Sequence, residues 1–181
     1  MNFFELPLAG AYLIELEKLE DERGFFARSF CRREYEKLGL NNQIVQMSIS
    51  YNKTKGTLRG IHYQLPPKAE NKIVRSLKGS FWDVMIDLRK NSPTFGKWHG
   101  EILSSDNRKM VYIPEGFGHA FITLEEDSEP LYLVTEYYEP NLERTIRWDD
   151  SFFSIDWPIK PTSISSKDKN ARDFDPSYHL D

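Results

Sequence analysis

Along most of the chain, apolar and polar residues alternate with a period of two, the signature of strands with two different faces. In Val45–Asn52 the apolar set Val45, Met47, Ile49 and Tyr51 alternates with Gln46, Ser48, Ser50 and Asn52. Phe81–Arg89 repeats the device, with Trp82, Val84, Ile86 and Leu88 on one side and Phe81, Asp83, Met85, Asp87 and Arg89 on the other. Leu131–Tyr138 alternates less cleanly but is rich in Tyr, Val and Thr. Shorter runs at Tyr12–Leu16, Lys72–Leu77, Gly100–Leu103, Met110–Ile113 and His119–Leu124 read as further strands. Turn residues separate them at Asn52–Gly56, Lys78–Gly79, Asn91–Gly96, Pro114–Gly118 and Asp127–Pro130. The one good helical stretch is Arg32–Leu38, stopped by Gly39. Many short strands with close turns predict an all-β antiparallel sandwich or barrel with few helices. The polar set Gln46, Ser48, Ser50 and Asn52 then has two readings: a solvent face, or the lining of a cavity inside the barrel.

Composition narrows the class. The chain has 181 residues, the length of one ordinary domain, and neither a linker nor a repeat divides it. We therefore expect a single domain over 1–181. Aromatics make up 14% and the net charge is only −4, which excludes a disordered chain and argues against nucleic acid as a partner. Cys31 is the single cysteine, so neither an intramolecular disulfide nor a cysteine-based metal site can form. No apolar run approaches the ~18 residues of a membrane span. The N-terminal MNFFELPLAGAYLIEL has no basic region and makes a poor signal peptide, so the expected compartment is the cytoplasm.

Chemistry is expected near two of the four histidines. His62 lies in GTLRGIHYQ and His119 in IPEGFGHAF, each beside a glycine-marked turn, whereas His99 and His179 read as surface residues. The spacing around His62 and His119 looks like the two motifs of the cupin superfamily. In metal-binding cupins the first motif carries a second histidine; here that position is Gln64, and the nearest acid, Glu70, lies farther on. A His₂–carboxylate metal site is thereby weakened, and no metal is expected. Without one, His62 becomes a candidate general base. Arg59 and Lys72 are the neighbouring cations that could stabilise an anion. Arg59 has the opposite strand parity to His62, so both can enter one pocket only if the strand bulges or turns at Gly60.

The motifs DERGFF (21–26), GTLRGIHYQ (56–64), WDVMIDLR (82–89), SPTFGKW (92–98), IPEGFGHAF (113–121), YLVTEYY (132–138), ERTIRWDD (143–150) and SSKD (165–168) run nearly end to end. In these the chain resembles the dTDP-4-dehydrorhamnose 3,5-epimerases and related nucleotide-sugar epimerases. The resemblance implies a double-stranded β-helix (jelly roll, cupin-like), a homodimer and no cofactor. It implies epimerisation of a nucleoside-diphosphate 4-keto-6-deoxyhexose at C3 and C5, in deoxysugar biosynthesis of the rhamnose or O-antigen type. By resemblance His62 is the base, Asp168 orients it, Lys72 stabilises the enolate and Tyr132 returns the proton. Tyr138 competes with Tyr132, but the two lie about 20 Å apart along an ideal strand. The family pattern favours Tyr132, with Tyr138 packing or positioning the sugar. Arg59 and His119 are assigned to the diphosphate, with Arg23 contributed by the partner subunit and Phe26 near the base. Gln46, Glu143 and Lys167 fall on further binding positions.

Three departures cluster where the nucleotide is recognised. Arg28 stands where the pattern has glutamate, Ser48 where it has asparagine, and Glu70 where it has glutamine. They leave open another nucleotide, for instance a CDP-linked sugar, and inversion at C3 only. A related 4-keto-sugar isomerase and a non-catalytic or metal-dependent cupin are the remaining alternatives.

Overall fold

The computed structural model describes residues 1–180. Two antiparallel sheets face each other. The first has the order β1 (Asn2–Glu5), β2 (Tyr12–Glu15), β10 (Met110–Ile113), β7 (Lys72–Lys78), β12 (Glu129–Val134) and β5 (Gln46–Ile49). The second has the order β13 (Glu143–Thr145), β6 (Thr57–Gln64), β11 (Phe117–Thr123), β8 (Ser80–Asp87) and β9 (Trp98–Ser104), with β14 (Ser163–Ile164) pairing in parallel with β6. A separate hairpin joins β3 (Lys18–Asp21) to β4 (Gly24–Ala27), and three short helices complete the chain: α1 (Arg32–Glu36), α2 (Ser166–Lys169) and α3 (Pro176–His179). This is the expected cupin-like jelly roll with a few short helices.

The alternation along each strand becomes a layered core. Val74, Phe81, Met85, Val111, Ile113 and Phe121 fill the space between the sheets. Behind the second sheet, Leu58, Ile61, Trp82, Val84, Ile86 and Leu88 pack against Ile146, Phe153, Trp148 and Trp157. Behind the first, Ile14, Ile73, Met110 and Tyr112 pack against Tyr35 of α1. Both faces of β8 are thus buried, because residues after β13 cover the side that a simple sandwich would leave wet. The same cover explains His179, which is not the expected surface residue. It is fully buried, its Nδ1 accepts from the Asp175 amide at 3.0 Å, and its ring lies 5.7 Å from that of Phe174.

Of the two readings of the polar residues of Val45–Asn52, β5 takes the cavity-lining one. It is an edge strand, and its apolar residues point out: Met47 is 67% exposed and Ile49 60%. Its polar residues turn toward the space between the sheets. At its far end Asn52 is buried and bridges to Ser128, its amide hydrogens reaching Ser50 O at 3.1 Å and Ser128 O at 3.2 Å.

The bulge required at Gly60 is present. His62 pairs with His119 and Arg59 with Phe121, so three residue steps on β6 oppose two on β11. The extra residue is absorbed at Gly60, whose φ is +121°. A Cβ there would sit 2.4 Å from the Ala120 Cβ and 2.7 Å from the His119 carbonyl oxygen. Both the backbone conformation and the space demand glycine. Gly60→Ala is expected to destabilise the fold by about 3 kcal/mol or more, from backbone strain plus overpacking. Urea unfolding measures it, and stability within about 1 kcal/mol of the parent would contradict the steric account.

Candidate active site

Between the sheets opens a cavity of about 510 Å³. The bulge sends both Arg59 and His62 into it from β6, and His119 enters from the adjacent β11. The facing sheet supplies Lys72 from β7, Tyr132 from β12, and Gln46 and Ser48 from β5. Ser48 lies directly opposite Tyr132 in the β5–β12 register. Tyr138 and Glu143 also line the cavity.

His62 is held from behind. Its Nε2 lies 2.7 Å from Asp168 Oδ1, and Asp168 is 2% exposed. The carboxylate sits in α2, where its own amide donates to the Ser165 hydroxyl at 3.1 Å, an N-cap that fixes the turn. Its Oδ2 accepts from the Gly60 amide at 3.4 Å, so the bulge also ties the dyad to β6. Burial alone would raise the Asp168 carboxyl. The hydrogen bond and charge of His62, with the Gly60 amide and Ser165, bring it below the ordinary carboxylate value instead. An ionised carboxylate only accepts, so Nε2 carries the proton and the Nδ1 lone pair is the basic site.

A second buried pair stands beside it. His119 Nε2 lies 2.7 Å from Asp83 Oδ2, Asp83 is fully buried, and its Oδ1 has no hydrogen-bond partner. The His119 ring meets that of Tyr132 edge-on at 6.0 Å. Burial and the Asp83 carboxylate raise the Tyr132 phenol above its ordinary value, while Arg59 and a hydrogen bond from Ser50 act the other way. The phenol therefore stays protonated through neutral pH, as a proton donor must.

The ammonium of Lys72 pairs with Glu70, and both side chains are 12% exposed. Glu70 also accepts from Gln64 Nε2 at 3.1 Å. Gln64 in addition donates to the Lys68 carbonyl at 2.8 Å and accepts from the Glu139 amide at 2.6 Å. At the cupin ligand position it therefore braces the wall. Among the described residues, no three His, Cys, Asp or Glu side chains are grouped to hold a metal ion. None of the described helices is long and apolar enough to cross a membrane.

Tyr138 enters the same cavity as Tyr132, against the separation inferred from an unbroken strand. β12 ends at Val134 and the chain turns back, so the extended-strand distance does not apply. Tyr138 donates to Glu143 Oε2 at 3.0 Å, and its amide donates to Gln46 Oε1 at 3.0 Å. Lys167 joins the rim through Glu143, with Nζ and Oε2 2.5 Å apart. Burial would raise the Glu143 carboxyl, but Lys167, Tyr138 and the nearby His62 together lower it.

Three expected binding residues lie away from this cavity. Arg23 pairs with Asp21 in the turn of the β3–β4 hairpin at 2.5 Å. Phe26 is 69% exposed, and Arg28 pairs with Glu34 at 3.2 Å. Two wall residues escaped the sequence reading of the site as individuals: Asp83 and Ser50. Asp83 was placed only on the face of Phe81–Arg89 that also carries Asp87 and Arg89, and Ser50 only by sharing parity with Gln46 and Ser48.

The arrangement puts His62 on one sheet and Tyr132 on the other, with the Lys72 ammonium and the Arg59 guanidinium on the walls of the same cavity. Comparison with known proteins points the same way. A sequence profile described as dTDP-4-dehydrorhamnose 3,5-epimerase matches residues 5–175. The protein of that name from Shigella flexneri is 41% identical over 99% of this chain and 100% of its own length. The crystal structure of the one from Elizabethkingia anophelis superposes with a TM-score of 0.93 at 41% identity, covering 96% of each chain. A Legionella pneumophila 3,5-epimerase, solved with dTDP-4-keto-L-rhamnose, gives 0.88 at 39% identity over 95% of this chain and 92% of its own. With the profile spanning nearly the whole chain and the fold shared end to end, this protein belongs to the dTDP-4-dehydrorhamnose 3,5-epimerase family.

Proposed function

We propose that this chain inverts C3 and C5 of a dTDP-linked 4-keto-6-deoxyhexose, without a cofactor, as a step of deoxysugar biosynthesis in the cytoplasm. The observation that carries the proposal is the placement of His62 and Tyr132 on opposite sheets of one cavity. Inversion needs a base on one side of the sugar ring and an acid on the other. The ketone acidifies the C–H bond beside it. His62 Nδ1 takes that proton, the electron pair moves onto the ketone oxygen, and the Lys72 ammonium stabilises the resulting enolate. Tyr132 then gives its proton to the opposite face and the ketone reforms. Asp168 keeps the basic nitrogen pointed into the cavity. Arg59 and His119 take the diphosphate, since a guanidinium fork suits phosphate oxygens. Tyr138, Glu143, Lys167, Gln46 and Ser48 shape the sugar and nucleotide ends. The Legionella relative's bound dTDP sugar favours thymidine as the nucleotide.

The functional unit in this reading is a homodimer of one jelly roll per chain. The exposed Leu19, Phe25 and Phe26 of the hairpin and the outward Met47 and Ile49 of edge strand β5 form apolar surface that suits a second copy. Arg23, Phe26 and Arg28 would then serve the partner's cavity.

Two experiments test the proposal. In D₂O with dTDP-4-keto-6-deoxyglucose, deuterium is expected at both C3 and C5. His62→Ala should reduce exchange by about a hundredfold or more, while Tyr132→Phe should retain exchange and lose inversion. Normal inversion by Tyr132→Phe would transfer the acid role to Tyr138. For the dimer, Arg23→Ala and His62→Ala are each expected to be impaired, and activity should reappear when the two are unfolded together and refolded. Hybrid dimers would then contain one intact site. A failure to complement, or a monomer by light scattering, would reject the shared site.

A further inference from the structure

Tyr132, in the reaction proposed above, finishes each inversion as a phenolate in a closed wall. Burial and the unpartnered oxygen of Asp83 make that place hostile to negative charge. Some group must hold the phenolate oxygen until a proton from water restores it. The wall supplies one just beyond the end of β5. Ser48 sits directly across from Tyr132, which puts Ser50, on the same face two residues on, in the diagonal position. Ser50 and Tyr132 both line the cavity, and the Ser50 amide donates to the Pro130 carbonyl at 3.0 Å, which holds the Ser50 hydroxyl on the Tyr132 side of the wall.

Ser50 is not alone. The Asn52 carboxamide donates to the Ser50 hydroxyl oxygen at 3.4 Å and to the Ser50 and Ser128 carbonyls at 3.1 and 3.2 Å. That orientation turns Asn52 Oδ1 to Arg59, whose Nε donates to it at 2.8 Å. With its Nε so occupied, the guanidinium keeps its two terminal nitrogens for the cavity. Asn52 is 2% exposed and its backbone is clamped to Ser128, with N–O distances of 3.0 and 3.1 Å in the two directions. It can therefore aim both partners without moving.

We infer that Ser50 donates its hydroxyl hydrogen to the Tyr132 oxygen as that oxygen loses its proton to the sugar, and that Asn52 positions Ser50 and Arg59 together. The O–H bond of Tyr132 breaks, the enolate electron pair forms the new C–H bond, and the charge left on the phenolate is shared with the Ser50 hydrogen bond and the Arg59 charge. The Ser50 proton itself is not transferred. Accepting from the Asn52 amide leaves the Ser50 hydrogen free to turn to Tyr132. The inference rests on Tyr132 being the acid. It adds that substrate phosphate on Arg59 and the acid on β12 are linked through one buried amide.

The test is exchange against inversion in D₂O with full-length enzyme and dTDP-4-keto-6-deoxyglucose. Ser50→Ala is expected to lower the rate of inversion by about tenfold or more, as loss of a donor to a developing oxyanion does. Exchange driven by His62, and KM, should stay within about twofold. Ser50→Thr keeps the hydroxyl and should recover most of the inversion rate. Asn52→Ala should slow inversion and also weaken dTDP binding, measured by calorimetry, because Arg59 loses its anchor. A loss of folding alone would reduce exchange and inversion equally. Ser50→Ala inverting at the parental rate, with Tyr132→Phe blocked, overturns the inference. Normal inversion by Tyr132→Phe overturns instead the acid assignment beneath it.

Discussion

Three residue steps of β6 are set against two of β11, and the site follows from that mismatch. In a regular strand Arg59 and His62 would face opposite ways, one toward the cavity and one into the outer core with Leu58 and Ile61. Absorbing the extra residue at Gly60 brings both into the cavity. The same bulge frees the Gly60 amide from the sheet ladder, and that amide donates to Asp168. One backbone irregularity therefore brings His62, its Asp168 partner and Arg59 together at one cavity. Ala120 packs so closely against Gly60 that the arrangement has no room for a side chain.

Most charged groups at this cavity are paired, Arg59 being held by the neutral Asn52 instead. Asp168 backs His62, Asp83 backs His119, Glu70 holds Lys72 and Glu143 joins Lys167 with Tyr138. Isolated charges in such a wall would be expensive, whereas hydrogen-bonded pairs hold one another in place. The pairs also separate the roles. Asp168 holds the His62 ring through its Nε2, and burial together with Asp83 opposes ionisation of Tyr132. The single cysteine and the modest net charge fit a cavity lined by imidazole, ammonium and phenol groups. A chain with net charge −4 still gathers Arg59 and Lys72 on the walls of one cavity.

Much of this was legible from residue order. Alternation in Phe81–Arg89 named both faces of β8, and the glycine and proline turns separated the strands at the right places. The parity conflict between Arg59 and His62 required a bulge, and glycine at 60 said where. Other features were not legible. The faces of β5 could be assigned only once its edge position was known, and that position leaves Met47 and Ile49 pointing outward. Tyr138 looked remote from Tyr132 because sequence spacing converts to distance only while a strand continues, and β12 stops at Val134. His179 looked like a surface residue because nothing local shows that the C-terminal segment folds back over β6, where Tyr63 donates to the His179 carbonyl at 2.9 Å.

The sequence by itself determined the periods, the turns, the motifs and so the fold and the family, because these depend on local sterics and on which residues alternate. Only the tertiary structure decided which polar residues share a cavity. Ser50 and Asn52 differ in no local respect from a wetted strand face. They become partners of Tyr132 and Arg59 because β5 lies beside β12 at one register, and register is a property of two segments distant in the chain.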